Sequence, residues 1–391
     1  MSLKQTRDSQ DHNFTKMIYE PQEDSYMLAE QVKTYAHGQV LDIGTGSGIQ
    51  GITALKNAGV KSVSFSDINP ECVSYVKQLI KGDKRVKFIV SDLFEKFDSK
   101  DIFDTIIFNP PYLPEDEYDK TIHNVGGKKG YEIIFKFLEK AKEHLSEDGT
   151  ILLLFSSLSK KRNIDDKLKK DYVFELLSEK SFFMERLYVY KIEKKKKFKG
   201  HRGFVETINY NYQKKNIIAV SKYSRTEFYY AKKESDILKI LNKKKIGPKL
   251  YKYDKKNNKI IMEYIRGERI INFINTHEKK EIIDIIKKVL EQLTIMDKLM
   301  INKQEMTNPY KHIIIRKEND TYNPVMIDFE RAQKTDRPKN ITQFIQFLTS
   351  GRLNHIFIEK RMKIDKNRLM VIAKSYKDNK KVEKDILDCI K

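Results

Sequence analysis

The chain has 391 residues, 39% hydrophobic and 34% charged, a size for two domains and a composition that excludes a disordered or collagenous chain. No apolar run reaches the roughly 18 residues of a membrane helix, and the polar start with Lys4, Arg7, Asp8 and Asp11 lacks a signal-peptide core. No membrane partner and a cytoplasmic location are therefore expected. Two distant cysteines, Cys72 and Cys389, are too few for a disulfide framework or a zinc site, so a metal would have to be held by carboxylates.

A helical stretch over 24–35 leads into a short apolar strand, 39–43, and the glycine-rich segment Asp42-Ile-Gly-Thr-Gly-Ser-Gly48. Strand, tight turn and helix follow one another there, and the glycines permit the left-handed backbone and close approach that a ligand needs. A second strand, 62–65, ends in Ser66-Asp67; a third, 86–90, ends in Ser91-Asp92. Acids in these places accept hydrogen bonds from ribose hydroxyls and lie near an adenine edge, or else cap the helices that follow. The fourth strand, 104–108, opens into Asn109-Pro110-Pro111-Tyr112, and a helix over 131–144 precedes a strand over 150–155. This alternation predicts an α/β fold with a mostly parallel sheet, its ligand at the carboxyl ends of the strands.

The Asn-Pro-Pro-Tyr tetrapeptide is the sharpest signal. Two prolines stop the strand and fix a rigid turn. A planar nitrogen, whether an amide or an exocyclic amine, has a delocalised lone pair and attacks poorly unless held. Asn109 can accept one of its N–H groups and the Pro110 carbonyl another, while Tyr112 stacks on the planar group. Catalysis would then consist of positioning the nitrogen against a methyl donor.

Six motifs in order, Tyr19 to Asp24, Asp42 to Gly48, Ser66 to Pro70, Ser91 to Phe94, Phe108 to Pro114 and Gly126 to Gly130, resemble the HemK-like S-adenosylmethionine-dependent methyltransferases, in their short archaeal and eukaryotic branch. The resemblance implies a class I, Rossmann-like domain. It also implies N5-methylation of the glutamine in the Gly-Gly-Gln motif of a peptide chain release factor, with a small zinc-binding activator subunit as partner. By the same resemblance Asp42, Gly44, Thr45, Gly46 and Gly48 bind the cofactor's methionine end, Asp67 and Ile68 the ribose side, and Asp92 and Leu93 the adenine. Asn109, Pro110 and Tyr112 act on the acceptor, and Glu23 and Asp24 close the site. Relatives with this motif methylate lysine or nucleic-acid adenine, and the tetrapeptide does not separate these acceptors.

The basic tract Glu193 to Gly203 reads as a linker or the entry to a second domain, which sets domains at 1–195 and 196–391. Residues 1–192 carry 28 basic and 30 acidic side chains, whereas 193–391 carry 48 and 25. The second half should therefore attract polyanions such as tRNA or ribosomal RNA. Its order, with a strand at 216–220, a helix at 227–241, a strand at 259–264, helices within 270–299 and strands at 310–315 and 324–330, resembles an α+β protein-kinase-like domain of the archaeal group related to RIO kinases. That resemblance implies ATP and magnesium, with Lys222 on phosphate, Glu234 as its helix partner and Asp328 on the metal. The glycine-rich loop is reduced to Gly200 and Gly203. No aspartate stands at the catalytic-base position, and Glu305 and His312 are the candidates to replace it. An active kinase, a nucleotide-binding module and an RNA-docking module all remain open.

Overall fold

A computed structural model describes residues 18–114, 126–199, 203–224, 229–318, 320–376 and 382–390; the first seventeen residues and Gly200 lie outside them. The chain divides into two compact units, one of residues 1–196 with 208–218, the other of residues 197–207 with 219–391.

In the first unit, helix α1 (Glu23–Tyr35) precedes β1 (Gly38–Ile43), α2 (Ile49–Leu55), β2 (Val60–Asp67), α3 (Pro70–Leu79), β3 (Val86–Val90) and β4 (Phe103–Phe108). Then come α4 (Glu132–His144), β5 (Leu145–Ser156), α5 (Lys161–Asp171), β6 (Tyr172–Phe182) and β7 (Glu185–Lys194). The sheet order is β3-β2-β1-β4-β5-β7-β6, parallel except for β7, which runs antiparallel to β5 and β6. The order reverses between β1 and β4, and in such a sheet a crevice opens there at the carboxyl ends of the strands. The central strands are apolar on both faces because helices cover both. Leu41, Ile43, Ile106 and Leu153 pack towards α4, while Val40, Val63, Ile107 and Leu152 pack towards α1 and α2.

The β6–β7 hairpin and the strands within the basic tract are not foreseen in the sequence reading. β7 continues through Lys194 and, after two residues, β8 (Lys197–Lys199) begins, so the described part of the tract is mostly extended strand and enters the second unit. Part of its positive charge is met: Lys196 pairs with Asp148, and Lys197 on β8 lies 3.9 Å from Glu206.

A five-stranded sheet, order β11-β12-β10-β9-β8, is made of β8, β9 (Gly203–Tyr212), β10 (Lys215–Ser224), β11 (Leu250–Asp254) and β12 (Lys259–Glu263), with α6 (Tyr229–Asn242) between β10 and β11; all of it but residues 208–218 of β9 and β10 belongs to the second unit. The short strand β13 (Glu268–Arg269) and α7 (Ile270–Thr276) lead to the long helix α8 (Lys279–Lys298). Glu278 and Glu281 cap α8 reciprocally, and its Ile282, Ile286, Val289 and Leu293 are buried. The two-residue β14 (Ile301–Asn302) precedes the antiparallel pair β15 (Ile313–Glu318) and β16 (Thr321–Met326), and helices complete the unit. The expected strands at 310–315 and 324–330 are thus shifted: Tyr310 sits in a 3-10 turn and Asp328 lies beyond the strand end. No helix among the described residues is long and apolar enough to cross a membrane.

Candidate active site

Four strands of the first unit, β1 to β4, end on one cavity of about 340 Å³. Gly44, Thr45 and Gly46 line it after β1, Asp67 and Ile68 after β2, Asp92 and Leu93 after β3, and Asn109, Pro110 and Tyr112 after β4. Three residues expected to bind there do not line it. Asp42 is 1% exposed, and its Oδ2 accepts from Thr45 Oγ1 at 2.7 Å and Gly51 N–H at 2.9 Å, so it braces the loop from beneath. Burial pushes its carboxyl up to about 7 against the pull of those two donors. Gly48, at φ +81, supplies the left-handed turn into α2, where a Cβ would meet Val76 at 2.8 Å. Glu23 is exposed and pairs with Lys180.

Asp67 has both carboxylate oxygens engaged by backbone, Oδ2 by Gly46 N–H and Oδ1 by Asn69 N–H, each at 2.9 Å. It therefore fixes the glycine turn while standing on the cavity wall. The cap of α3 is Asn69, which accepts from Glu71 N–H with Pro70 in the first turn.

Asn109 is held by a residue 85 positions away. Its Nδ2 donates to Asp24 Oδ2 at 2.9 Å. An ionised carboxylate only accepts, so the amide nitrogen must face Asp24 and the amide oxygen must face away. That oxygen, Oδ1, is buried and has no hydrogen-bond partner, although Asn109 lines the cavity. Asp24 is 4% exposed and also accepts from Tyr19 Oη at 3.1 Å and Ser25 Oγ at 3.3 Å. Burial first, and then the Asp24 charge, push the Tyr19 and Tyr112 phenols well above their ordinary value, so both stay protonated. The glycine-rich segment after the tetrapeptide explains itself by contact. Gly126 N–H donates to the Leu113 carbonyl at 2.8 Å, and a Cβ on Gly126 would lie 2.5 Å from the Pro111 carbonyl.

The glycine turn leaves room for a cofactor: at Gly46, φ +49, an added Cβ would enter open space beside Asp67 on the cavity wall.

The methyltransferase small domain model matches residues 20–176. A Methanocaldococcus jannaschii protein named for N5-glutamine methyltransferase activity is 37% identical over 158 residues, covering 39% of this chain and 79% of that one. The chain belongs to the protein N5-glutamine methyltransferase family. Release factor glutamine methyltransferases of Koribacter versatilis and Clostridium acetobutylicum are 34% and 31% identical, over 29% and 36% of this chain. The chain spans about half the length of these two relatives, 45% and 56%. The first unit is thus a class I, S-adenosylmethionine-dependent methyltransferase domain.

The second unit of this methyltransferase family member has its own cluster of charge. Lys222 on β10 reaches Glu234 on α6 at 2.8 Å, Asp328 Oδ1 at 2.6 Å and Glu330 at 3.3 Å. Burial opposes the ammonium, but the three carboxylates hold it protonated above lysine's ordinary value. Burial would likewise raise Asp328, yet Lys222 keeps it below the usual carboxylate range. These residues line a cavity of about 520 Å³. Glu305 stands apart from that cavity, 3.7 Å from Lys303 and from Arg331, with burial raising its carboxyl. His312 Nδ1 is 3.9 Å from Asp328 Oδ2, and burial lowers the imidazole to about 4, which leaves it neutral. A residue no sequence signal marks is Lys303: it is fully buried, donates from Nζ to the Asp328 carbonyl at 2.6 Å, and has its ammonium disfavoured by burial. One more lysine in a lysine-rich chain gives no hint of this.

Proposed function

We propose that the first unit methylates the N5 amide nitrogen of a glutamine, the one in the Gly-Gly-Gln loop of a peptide chain release factor. The observation that carries this reading is the buried, unsatisfied Asn109 Oδ1, turned outward by the Asp24 carboxylate. A glutamine side chain ends in an NH₂ group that needs acceptors, and Asn109 Oδ1 supplies one where water is excluded. The Pro110 carbonyl, fixed by the ring on each side of the turn, offers a second. Bound S-adenosylmethionine supplies an electrophilic methyl group. Asn109 and Pro110 align the amide nitrogen, Tyr112 covers its plane, and the surplus proton passes to solvent after transfer. Gly44, Thr45, Gly46, Asp67, Ile68, Asp92 and Leu93 would hold the cofactor. Names of relatives such as those from Koribacter versatilis support the acceptor class. The zinc-binding activator belongs to the same proposal, and transfer is to be assayed with and without it. Asn109→Ala tests the reading: turnover on the release factor should fall by about a hundred- to a thousandfold, while calorimetric affinity for S-adenosylmethionine stays near wild type. Full turnover in this variant would reject the arrangement.

A second reading concerns the second unit. The Lys222–Glu234 ion pair at 2.8 Å, with Asp328 beside it, favours a kinase-like module that binds the polyphosphate of a nucleotide such as ATP with a divalent cation, over RNA docking alone. The basic surface would then bring the module to tRNA or ribosomal RNA. Fluorescent ATP-analogue binding by the full chain, lost in Lys222→Met, is the expected result; binding unchanged in that variant would reject it.

A further inference from the structure

The first unit exposes large apolar side chains at one turn. β6 ends at Phe182 and β7 begins at Glu185, so Phe183 and Met184 form the tip of that hairpin. They are 94% and 83% exposed, and Phe182 and Leu158 are exposed as well. Two-residue hairpin turns ordinarily take asparagine, aspartate or glycine where the backbone is left-handed. Met184 has φ +64 and Phe183 precedes it, so turn propensity accounts for neither residue. Local rules are broken in this way where function demands it, and a contiguous apolar patch in water marks an interaction site.

The strand register places the tip beside the cavity. β7 runs antiparallel to β5 and pairs Leu187 with Ser156, the last residue of β5. The tip therefore projects beyond the carboxyl edge of the sheet, the edge on which the cavity opens. β5 and β7 lie on the β4 side of the switch, where Asn109 stands, and away from β2 and β3, whose ends carry Asp67 and Asp92. Side chains tie the tip to that side. Lys180 pairs with Glu23, next in sequence to Asp24, the partner of Asn109. Arg186 N–H donates to Ser157 Oγ at 3.0 Å, and Ser159 Oγ donates to the Tyr112 carbonyl at 2.6 Å. The tip thus stands where an acceptor would approach, not where the cofactor would lie.

Charge selects the kind of partner. Lys180 and Arg186 are paired with Glu23 and Glu179, so neither offers a phosphate backbone an unpaired cation. Glu185, at the base of the tip, has a buried Oε1 with no hydrogen-bond partner. A buried carboxylate oxygen calls for an N–H or a cationic donor. A partner that answers both features has an apolar recess for Phe183 and Met184 and a donor for Glu185, which is the chemistry of a protein surface. We infer that the β6–β7 tip, with Phe182, Phe183, Met184 and Glu185, docks the protein that carries the acceptor glutamine, outside the cavity that takes the glutamine itself. The inference rests on the glutamine reading of the same site and adds how a whole protein is preferred over its isolated loop.

The test compares two acceptors, the release factor and a short synthetic peptide of its Gly-Gly-Gln loop, with the small activator present throughout. The variant combines Phe183→Ser with Met184→Asn. Both positions are exposed and asparagine accepts a left-handed backbone, so the fold is retained. KM for the release factor should rise at least about tenfold, while kcat, turnover of the peptide and calorimetric affinity for S-adenosylmethionine stay unchanged. An unchanged KM for the release factor overturns the inference alone, because label on the loop glutamine keeps the glutamine reading. A loss equal on both acceptors, as from a lost activator or a distorted cavity, overturns it too. Sedimentation that shows a dimer of the wild type, lost in the variant, assigns the tip to a second copy and likewise overturns it. Wild-type chain that labels neither acceptor sinks the glutamine reading and this inference with it.

Discussion

The two units solve the problem of presenting chemistry in opposite ways. In the first, the cavity is made of backbone: glycine turns and a proline-fixed turn at four strand ends, with Asp24 buried to aim a single amide. In the second, the cavity is made of charge, with one half-buried lysine shared by Glu234 on α6 and by Asp328 and Glu330 in the loop after β16. A backbone-built site writes itself into contiguous motifs. A charge-built site leaves only scattered single residues, and its strength depends on all of them being present.

That contrast can be broken by four substitutions. The largest effect is expected for Lys222→Met, which removes the cation shared by three carboxylates in a mostly buried place. Loss of one partner of a buried ion pair costs about 3–5 kcal/mol, so the denaturant midpoint of the second unit should drop sharply; a drop no larger than that of an exposed Lys→Met control would mean the cluster is well solvated. Asp24→Asn comes next. It lets the Asn109 amide turn either way, and kcat for methyl transfer should fall about 10- to 100-fold, with cofactor affinity nearly constant. If KM for cofactor changes instead, Asp24 serves the cofactor and not the amide.

Gly126→Ala should cost about 1–3 kcal/mol of stability, because its Cβ would press on the Pro111 and Gly130 carbonyls at 2.5 and 2.7 Å. Thermal unfolding of wild type and variant measures it, and equal melting temperatures would show that the turn yields easily. The last substitution concerns pH. The Asp42 carboxyl sits at about 7 folded against an ordinary 3.8, so the folded state binds its proton more tightly. Its stabilising contribution is complete below pH 3.8 and is lost as pH rises towards 7. Asp42→Asn should flatten that part of the stability profile of the first unit; an unchanged slope would show that Asp42 titrates as an ordinary carboxylate.

Legibility followed the same division. The first four strands of the first unit and the turns after them were readable because each apolar run of about five residues ends in glycine, acid or proline. What proximity in sequence could not give was function within the motif. Asp42 belongs to the glycine motif yet lies beneath it, and Glu23 and Asp24 are neighbours of opposite fate, one exposed and one buried against Asn109. The hairpin of β6 and β7 went unread because its strands mix charged and apolar residues without clean alternation, as in Glu175, Leu176 and Leu177. In the second unit the lysine-rich composition hid Lys303, which holds the Asp328 carbonyl.

The central claim is that the first unit delivers a methyl group to a glutamine amide. Labelled S-adenosylmethionine offered to a release factor with its Gly-Gly-Gln loop, to a lysine-rich protein and to duplex DNA, each with and without the small activator, tests it directly. Label on the release factor that vanishes when the loop glutamine is replaced is the predicted result; label on DNA or lysine alone would contradict the assignment of the acceptor.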